Sequence, residues 1–259
     1  MPIVTFLSDF GWQDHYVAAV KARILSEKPD VQIVDISHNI KKFDIIHASY
    51  VLRSVYSDFP KGTIHLIAVN LNNQTLEELI AVSINGHYFL GSNNGLLSLI
   101  EEKGATEIIE INAGKGKGIF PAKDSLAPAA VQLANGATLS SLGGALEESK
   151  YKHYMPLRIK ANRELIQGHV IHIDSYGNLI TNINKVDYEI LSKEKSVLIK
   201  FRNYGLTKVL DYYHETKGGE AFALFNSNGF LEIGIKDGHA AQLLGLEYGS
   251  MVTIKFSDY

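Results

Sequence analysis

Three short stretches of this chain concentrate side chains able to bind a ligand. The first is Ser8-Asp9-Phe10-Gly11, followed closely by Asp14-His15-Tyr16-Val17. The second is Asp174-Ser175-Tyr176-Gly177-Asn178, running on to Thr181-Asn182. The third is Asn226-Ser227-Asn228-Gly229-Phe230-Leu231-Glu232-Ile233, with Gly238-His239-Ala240-Ala241 soon after. Asp9 follows an apolar run at the point where a first strand should end. A carboxylate there can accept two hydrogen bonds from a vicinal diol, or it can cap the next turn. In the second stretch Asp174 can hold an ammonium, and Tyr176 offers a flat face. Gly177 admits close backbone approach, and Asn178 both donates and accepts. The same residues also suit a tight turn between strands. His239 reads either as an exposed loop histidine or as a hydrogen-bonding group for a ring edge.

These stretches need elements to position them. Ile3–Leu7 reads as a buried strand, and Tyr16–Ser26 as a helix with Val17, Val20 and Ile24 on one face. Strands are expected at Val31–Ile36, Ile64–Val69, Leu79–Ile84, His87–Leu90 and Ile108–Ile111, with helices at Ile45–Tyr56 and Leu126–Ala134. Asn85-Gly86 is a hairpin-turn signal, and Asn135-Gly136 a helix stop. Asp44 reads first as a cap for the helix that begins near Ile45. From Ile159 onward the pattern is almost all strand: Gly168–Ile173, Ser196–Phe201, Ala221–Phe225, Phe230–Ile235 and Met251–Phe256. The expectation is an α/β protein. An N-terminal α/β domain with a largely parallel sheet spans 1–150, a linker 151–156, and a smaller C-terminal β-barrel-like domain 157–259.

Composition narrows the partners. The chain has 259 residues, 46% of them hydrophobic, which suffices for one large or two modest domains. Its 28 acidic and 25 basic residues give a net charge of −3. No strong field is available for nucleic acid or anionic lipid, so a small molecule or another protein is the expected partner. Without cysteine, thiolate zinc sites, disulfides and cysteine nucleophiles are excluded. His15, His38 and His47 have no metal-ligand spacing, and no metal site is expected. No apolar run approaches the roughly 18 residues of a membrane span. Met1–Leu7 lacks a basic region and reads as a strand, not a signal peptide. A cytoplasmic protein is expected.

In their order and spacing the three stretches resemble the S-adenosylmethionine hydroxide adenosyltransferase family, whose relatives include fluorinating and chlorinating enzymes. The resemblance runs from about Ile3 to about Val252. It implies the same two-domain split and a nucleoside ligand, S-adenosylmethionine as substrate or ligand with no other cofactor. Assembly is implied to be a homotrimer with each ligand between one subunit's N-terminal domain and a neighbour's C-terminal domain. It further implies that Asp9 holds the ribose and that Phe43 forms a pocket wall. Asp174, Tyr176 and Asn178 would grip the amino-acid end, Ser227 would contact the methionine carboxylate, and the Ala240 backbone would contact the base. The family usually has asparagine where this chain has His239.

The family's chemistry is substitution at the 5′ carbon of S-adenosylmethionine. Hydrolysing members share Asp, Arg and His for it: the aspartate opens a Val-Asp-Pro-Gly-Val-Gly stretch, the arginine lies seven residues on, and the histidine sits in Phe-His-Gly-Arg-Asp. Here the first stretch reads Val69-Asn70-Leu71-Asn72-Asn73-Gln74-Thr75, seven residues on is Glu77 followed by Glu78, and the third stretch is Phe120-Pro121-Ala122-Lys123-Asp124. Asn70, Glu77 and Pro121 therefore stand where Asp, Arg and His are expected. The resemblance places Lys123, Asp124, Asn93, Asn94 and Gly95 nearby. Lys123 reads as a surface lysine or as a substitute cation, and with Asp124 it is a candidate replacement in catalysis. Weak or absent hydrolysis is expected, with a non-catalytic S-adenosylmethionine or nucleoside binder as the alternative.

Overall fold

The computed structural model describes residues 1–71, 78–100, 105–112 and 118–258. The chain divides into two compact units, Met1–Met155 and Pro156–Tyr259. Tyr151 is buried in the core of the first, and Asn93 holds the backbone of Lys150 and Lys152 against that unit.

In the first unit the strands are β1 (Ile3–Ser8), β2 (Gln32–Ser37), β3 (Ile64–Ala68), β4 (Leu79–Ile84), β5 (His87–Ser92), β6 (Glu107–Ile111) and β7 (Gly143–Ala145). Their order in the sheet is β2-β1-β3-β5-β4-β6-β7. The pairs β2/β1, β1/β3 and β3/β5 are parallel, and the remainder antiparallel. The helices are α1 (Tyr16–Glu27), α2 (Ile45–Arg53) and α3 (Ala127–Ala134), the last entered through a π-helical turn at Ala122–Leu126.

Alternation along β1 sends Val4 and Phe6 into a core with Val17, Val20 and Ile24 of α1, while Leu7 joins Ala48 and Leu52 of α2 on the opposite face. A strand covered on both faces reads as a continuous apolar run, which is why Ile3–Leu7 was legible. The β4–β5 hairpin turns at Asn85 (φ 51°) and Gly86 (φ 79°), the left-handed pair that such a two-residue turn requires. α3 stops at Ala134, and the N–H of Gly136 returns to the Leu133 carbonyl at 2.9 Å.

The second unit contains β8 (Lys160–Ala161), β9 (Leu165–Ile173), β10 (Leu179–Asn184), α4 (Lys185–Leu191), β11 (Lys195–Phe201), β12 (Tyr204–Leu206), β13 (Ala221–Phe225), β14 (Phe230–Ile235), α5 (Ala240–Leu244) and β15 (Met251–Asp258). The antiparallel order is β12-β11-β15-β9-β10-β14-β13, with β8 beside β9. The end strands β12 and β13 come close, so the sheet curls into a nearly closed barrel. Its core is made by alternate residues such as Ile166, Val170, Ile233 and Ile254. The α/β and barrel-like classes expected from the sequence are thus both present, although the N-terminal sheet is parallel only in its β2–β5 half. Among the described residues no helix is long and apolar enough to cross a membrane.

Candidate functional site

Open α/β sheets bind ligands where the strand order reverses, and the first unit has such a point. From β1 the chain passes through α1 to β2 on one side. From β2 it passes through α2 to β3 on the other side of β1. The crossovers diverge at the C-terminal ends of β1 and β3, leaving a crevice there. Asp9 directly follows β1, and Asn70 stands two residues beyond β3. The Asp9 Oδ2 atom accepts the backbone N–H of Asn70 at 3.1 Å and that of Phe43 at 2.9 Å. Asp9 is therefore not a cap for α1, whose N-terminus has no side-chain cap at all. It ties three loops together at the crevice. Asp44 is a cap, taking the N–H groups of Ile46 and His47. Phe43 is 70% exposed at φ 66°, facing outward and not packed as core. Asn70 is also held at positive φ (52°), a conformation asparagine tolerates better than most residues.

The Phe120–Asp124 stretch comes to the same place. Phe10 lies 5.7 Å from Phe120 and 5.7 Å from Tyr16, and Tyr16 lies 5.6 Å from Phe120, closing an aromatic triangle. Pro121 opens the π-helical turn and brings no side-chain donor. Asp124 turns back on its own loop: Oδ2 accepts the Phe120 N–H at 3.2 Å, and a Cβ at Gly118 would fall on the same oxygen. That carboxylate serves the turn. Lys123 is exposed. Glu78, just before β4, accepts from Asn93 Nδ2 at 3.1 Å, and Asn94 braces the end of β3 by donating to the Val69 carbonyl at 3.2 Å. Glu77 lies outside the described residues.

In the second unit Asp174 organises the β9–β10 turn. Its Oδ1 accepts the N–H groups of Tyr176 (2.9 Å) and Asn178 (2.8 Å), and its Oδ2 accepts from Asn178 Nδ2 at 3.3 Å. Tyr176 is 79% exposed at the tip. The Gly177 carbonyl accepts the Ala241 N–H at 2.9 Å, joining this turn to the His239–Ala241 segment. Gly177 is at φ 86°, and a Cβ there would meet His239 Cγ at 2.4 Å. His239 is accordingly a half-buried cap of α5, its Nδ1 accepting the Gln242 N–H at 3.3 Å, and Ala240 is fully buried. Ser227 is exposed at the tip of the β13–β14 hairpin, which Asn226 shapes by accepting the Asn228 and Phe230 N–H groups.

Glu232 lies in the third stretch, but the sequence alone assigns it no role of its own. It is 4% exposed on β14, receives the Tyr213 hydroxyl at 2.9 Å, and is bonded to Asn226 and Asn178. Burial raises its pKa, with these hydrogen bonds pulling the other way. It links the turn of the second stretch to the hairpin of the third. A glutamate in an apolar strand pattern was the available signal.

The same division is found in known proteins. The SAM hydroxide adenosyltransferase N-terminal domain matches residues 4–143, and the C-terminal domain of that family matches residues 168–253. The chain belongs to the SAM hydroxide adenosyltransferase family. Its relatives carry more than one activity name. A (R)-S-adenosyl-L-methionine hydrolase of Methanocaldococcus jannaschii is 32% identical, over 96% of this chain and 94% of that protein. A fluorinase of Actinoplanes sp. is 26% identical, over 98% and 97%. The crystal structure of an uncharacterized conserved protein from Thermotoga maritima superposes with a TM-score of 0.87 at 29% identity, covering 97% of this chain and 99% of that one. Among the described residues of this family member, no group of three or more His, Asp or Glu side chains could hold a metal ion.

Proposed function

We propose that this chain binds S-adenosylmethionine or adenosine in the family's pocket and hydrolyses S-adenosylmethionine weakly or not at all. The observation that carries this reading is the Asp9–Asn70 contact. It puts position 70 beside the carboxylate that the family resemblance assigns to the ribose, and position 70 cannot take a proton. On this reading Asp9 and Phe43 hold the nucleoside from the first unit. Asp174, Tyr176, Asn178, Ser227, His239 and the Ala240 backbone hold the amino-acid end and the base. A cytoplasmic homotrimer would supply each site with loops from two subunits.

Substitution at the 5′ carbon expels neutral methionine sulfur, so the leaving group needs no acid. The nucleophile must be delivered in line and stabilised as it loses its proton. Asn70 can orient water but not deprotonate it, and loss of a general base costs about 10²–10⁴ in rate. Pro121 offers no hydrogen bond. Glu77 stands where a cation is expected. At about 4 Å and an effective dielectric near 20, a unit-charge interaction is on the order of 4 kcal/mol, so reversing its sign removes attraction and adds repulsion of similar size.

A second reading, a working hydrolase with rebuilt catalytic groups, is favoured by the names of the relatives, and Lys123 and Asp124 are its candidates. The triple variant Asn70→Asp, Glu77→Arg, Pro121→His separates the two. Hydrolysis by the variant and not by the parent supports the binding reading. Hydrolysis by the parent that is lost in Lys123→Ala or Asp124→Asn supports the second.

A further inference from the structure

The loop that carries Asp9 is supported from below by a chain of polar groups that the proposed binding contacts do not use. Ser8 is fully buried, and its Oγ lies 2.7 Å from His38 Nδ1. His38, also fully buried, has its other nitrogen, Nε2, 3.1 Å from Asp35 Oδ1. The contact falls short of hydrogen-bond alignment, and neither atom has a hydrogen-bond partner elsewhere among the described residues, so each is the other's polar counterpart. Asp35 Oδ2 is held by Lys21 Nζ at 2.5 Å. The Lys21 ammonium lies 5.7 Å from the centre of the Trp12 ring, and Trp12 stands edge-on to His38 at 4.7 Å. The chain thus starts at the residue before Asp9 and returns to Trp12, three residues after it. Within that span the His38 carbonyl accepts the Gly11 N–H at 2.8 Å, and Ser8 Oγ is approached by the Phe10 N–H at 3.4 Å.

Charge orders the chain. Burial alone would raise the Asp35 pKa, but its bonds to Lys21 and His38 outweigh that and hold it below the usual carboxylate range. An ionised carboxylate only accepts, so His38 carries its proton on Nε2. Nδ1 is then left to accept the Ser8 hydroxyl proton, and Ser8 Oγ keeps its lone pairs for Phe10. These residue types resemble a hydrolytic triad, but a fully buried Ser8 oxygen meets no substrate.

We infer that His38, backed by Asp35 and Lys21, is a positioning residue that fixes the Ser8–Trp12 loop and so aims Asp9 at the ligand's ribose diol. The inference rests on the ribose role proposed for Asp9 and goes beyond it. A histidine that merely filled the core would affect stability without regard to which ligand is bound. A positioning histidine affects the part of affinity that comes from the diol.

The test is calorimetric titration of the full chain with adenosine and with 2′-deoxyadenosine. For the parent, adenosine is expected to bind on the order of 10-fold more tightly, the worth of a hydrogen bond to a carboxylate. In His38→Phe the ratio is expected to fall to within about 2-fold. Asp35→Asn, a near-isosteric change at a partly exposed site, is expected to shrink the ratio by at least about 3-fold and decides the matter if His38→Phe does not fold. A parent that binds adenosine with a ratio left unchanged by Asp35→Asn and by folded His38→Phe overturns this inference alone. A parent without preference for the diol overturns the role of Asp9, and one that binds neither nucleoside overturns the binding reading itself.

Discussion

Asn70 donates its backbone N–H to Asp9 Oδ2 at 3.1 Å across the crevice between β1 and β3. Through that bond, the position at which the family resemblance implies an aspartate in hydrolysing members is held beside the proposed ribose carboxylate, whatever its side chain. The Phe43 N–H reaches the same oxygen from the loop before α2. Asp9 therefore both organises the crevice and presents a charge in it.

Asp9→Asn should keep a carbonyl oxygen that can accept both N–H groups and lose the charge. Hydrogen bonds to ionised acceptors are roughly twice as strong as neutral ones. Adenosine affinity is expected to fall about 10-fold or more, read by calorimetry. Unchanged affinity in a folded variant would remove Asp9 from the binding site.

Gly177→Ala should uncouple the β9–β10 turn from the His239–Ala241 segment. Alanine is strained at φ 86°, and its methyl would meet the His239 ring. The expected loss is about 1–3 kcal/mol of stability, seen as a Tm several degrees lower. Weaker binding of S-adenosylmethionine should accompany it. A Tm and affinity equal to the parent's would mean that the two segments do not need their contact.

Much of this arrangement was legible in the sequence, for identifiable reasons. β1 and β3 are buried on both faces and read as apolar runs. Asn85-Gly86 and Asn135-Gly136 each mark a backbone conformation that few residues adopt. β10 was not read as a strand because Leu179–Asn184 does not alternate strictly and its Thr181 and Asn182 were read as motif residues. α5 is a single short turn in a strand-rich region. Asp9 suggested a cap or a ligand, and only the tertiary fold shows its carboxylate spanning to residues 34 and 61 positions away. His38 looked like an isolated histidine because Ser8, which it meets through Nδ1, is 30 residues away, and Lys21, which holds its neighbour Asp35, is also distant in sequence. Position 77 was readable only by counting along the chain.

The buried pair His65 and His87 gives the first unit an acid limit. His65 Nδ1 lies 2.7 Å from Thr5 Oγ1, and its Nε2 lies 3.3 Å from His87 Nδ1. Burial first, and then the neighbouring His87, lowers the His65 pKa from 6.5 to about 3. The folded state thus binds the proton more weakly than the unfolded chain. The stabilisation is complete above about pH 6.5 and is lost as pH falls toward 3, by about 1.4 kcal/mol per pH unit for one such group. The Tm of the parent is expected to drop between pH 7 and 5, and less steeply in His65→Gln. Equal slopes would show that His65 does not set the acid limit.

The central claim is binding without efficient hydrolysis, and the most direct measurement is turnover by the parent protein. Purified protein would be incubated with S-adenosylmethionine at a concentration that titration shows to be saturating, with adenosine and methionine followed by chromatography against a protein-free control. The account predicts saturable binding and product at or close to the control. Release of both products in proportion to protein concentration would contradict it and direct attention to Lys123 and Asp124.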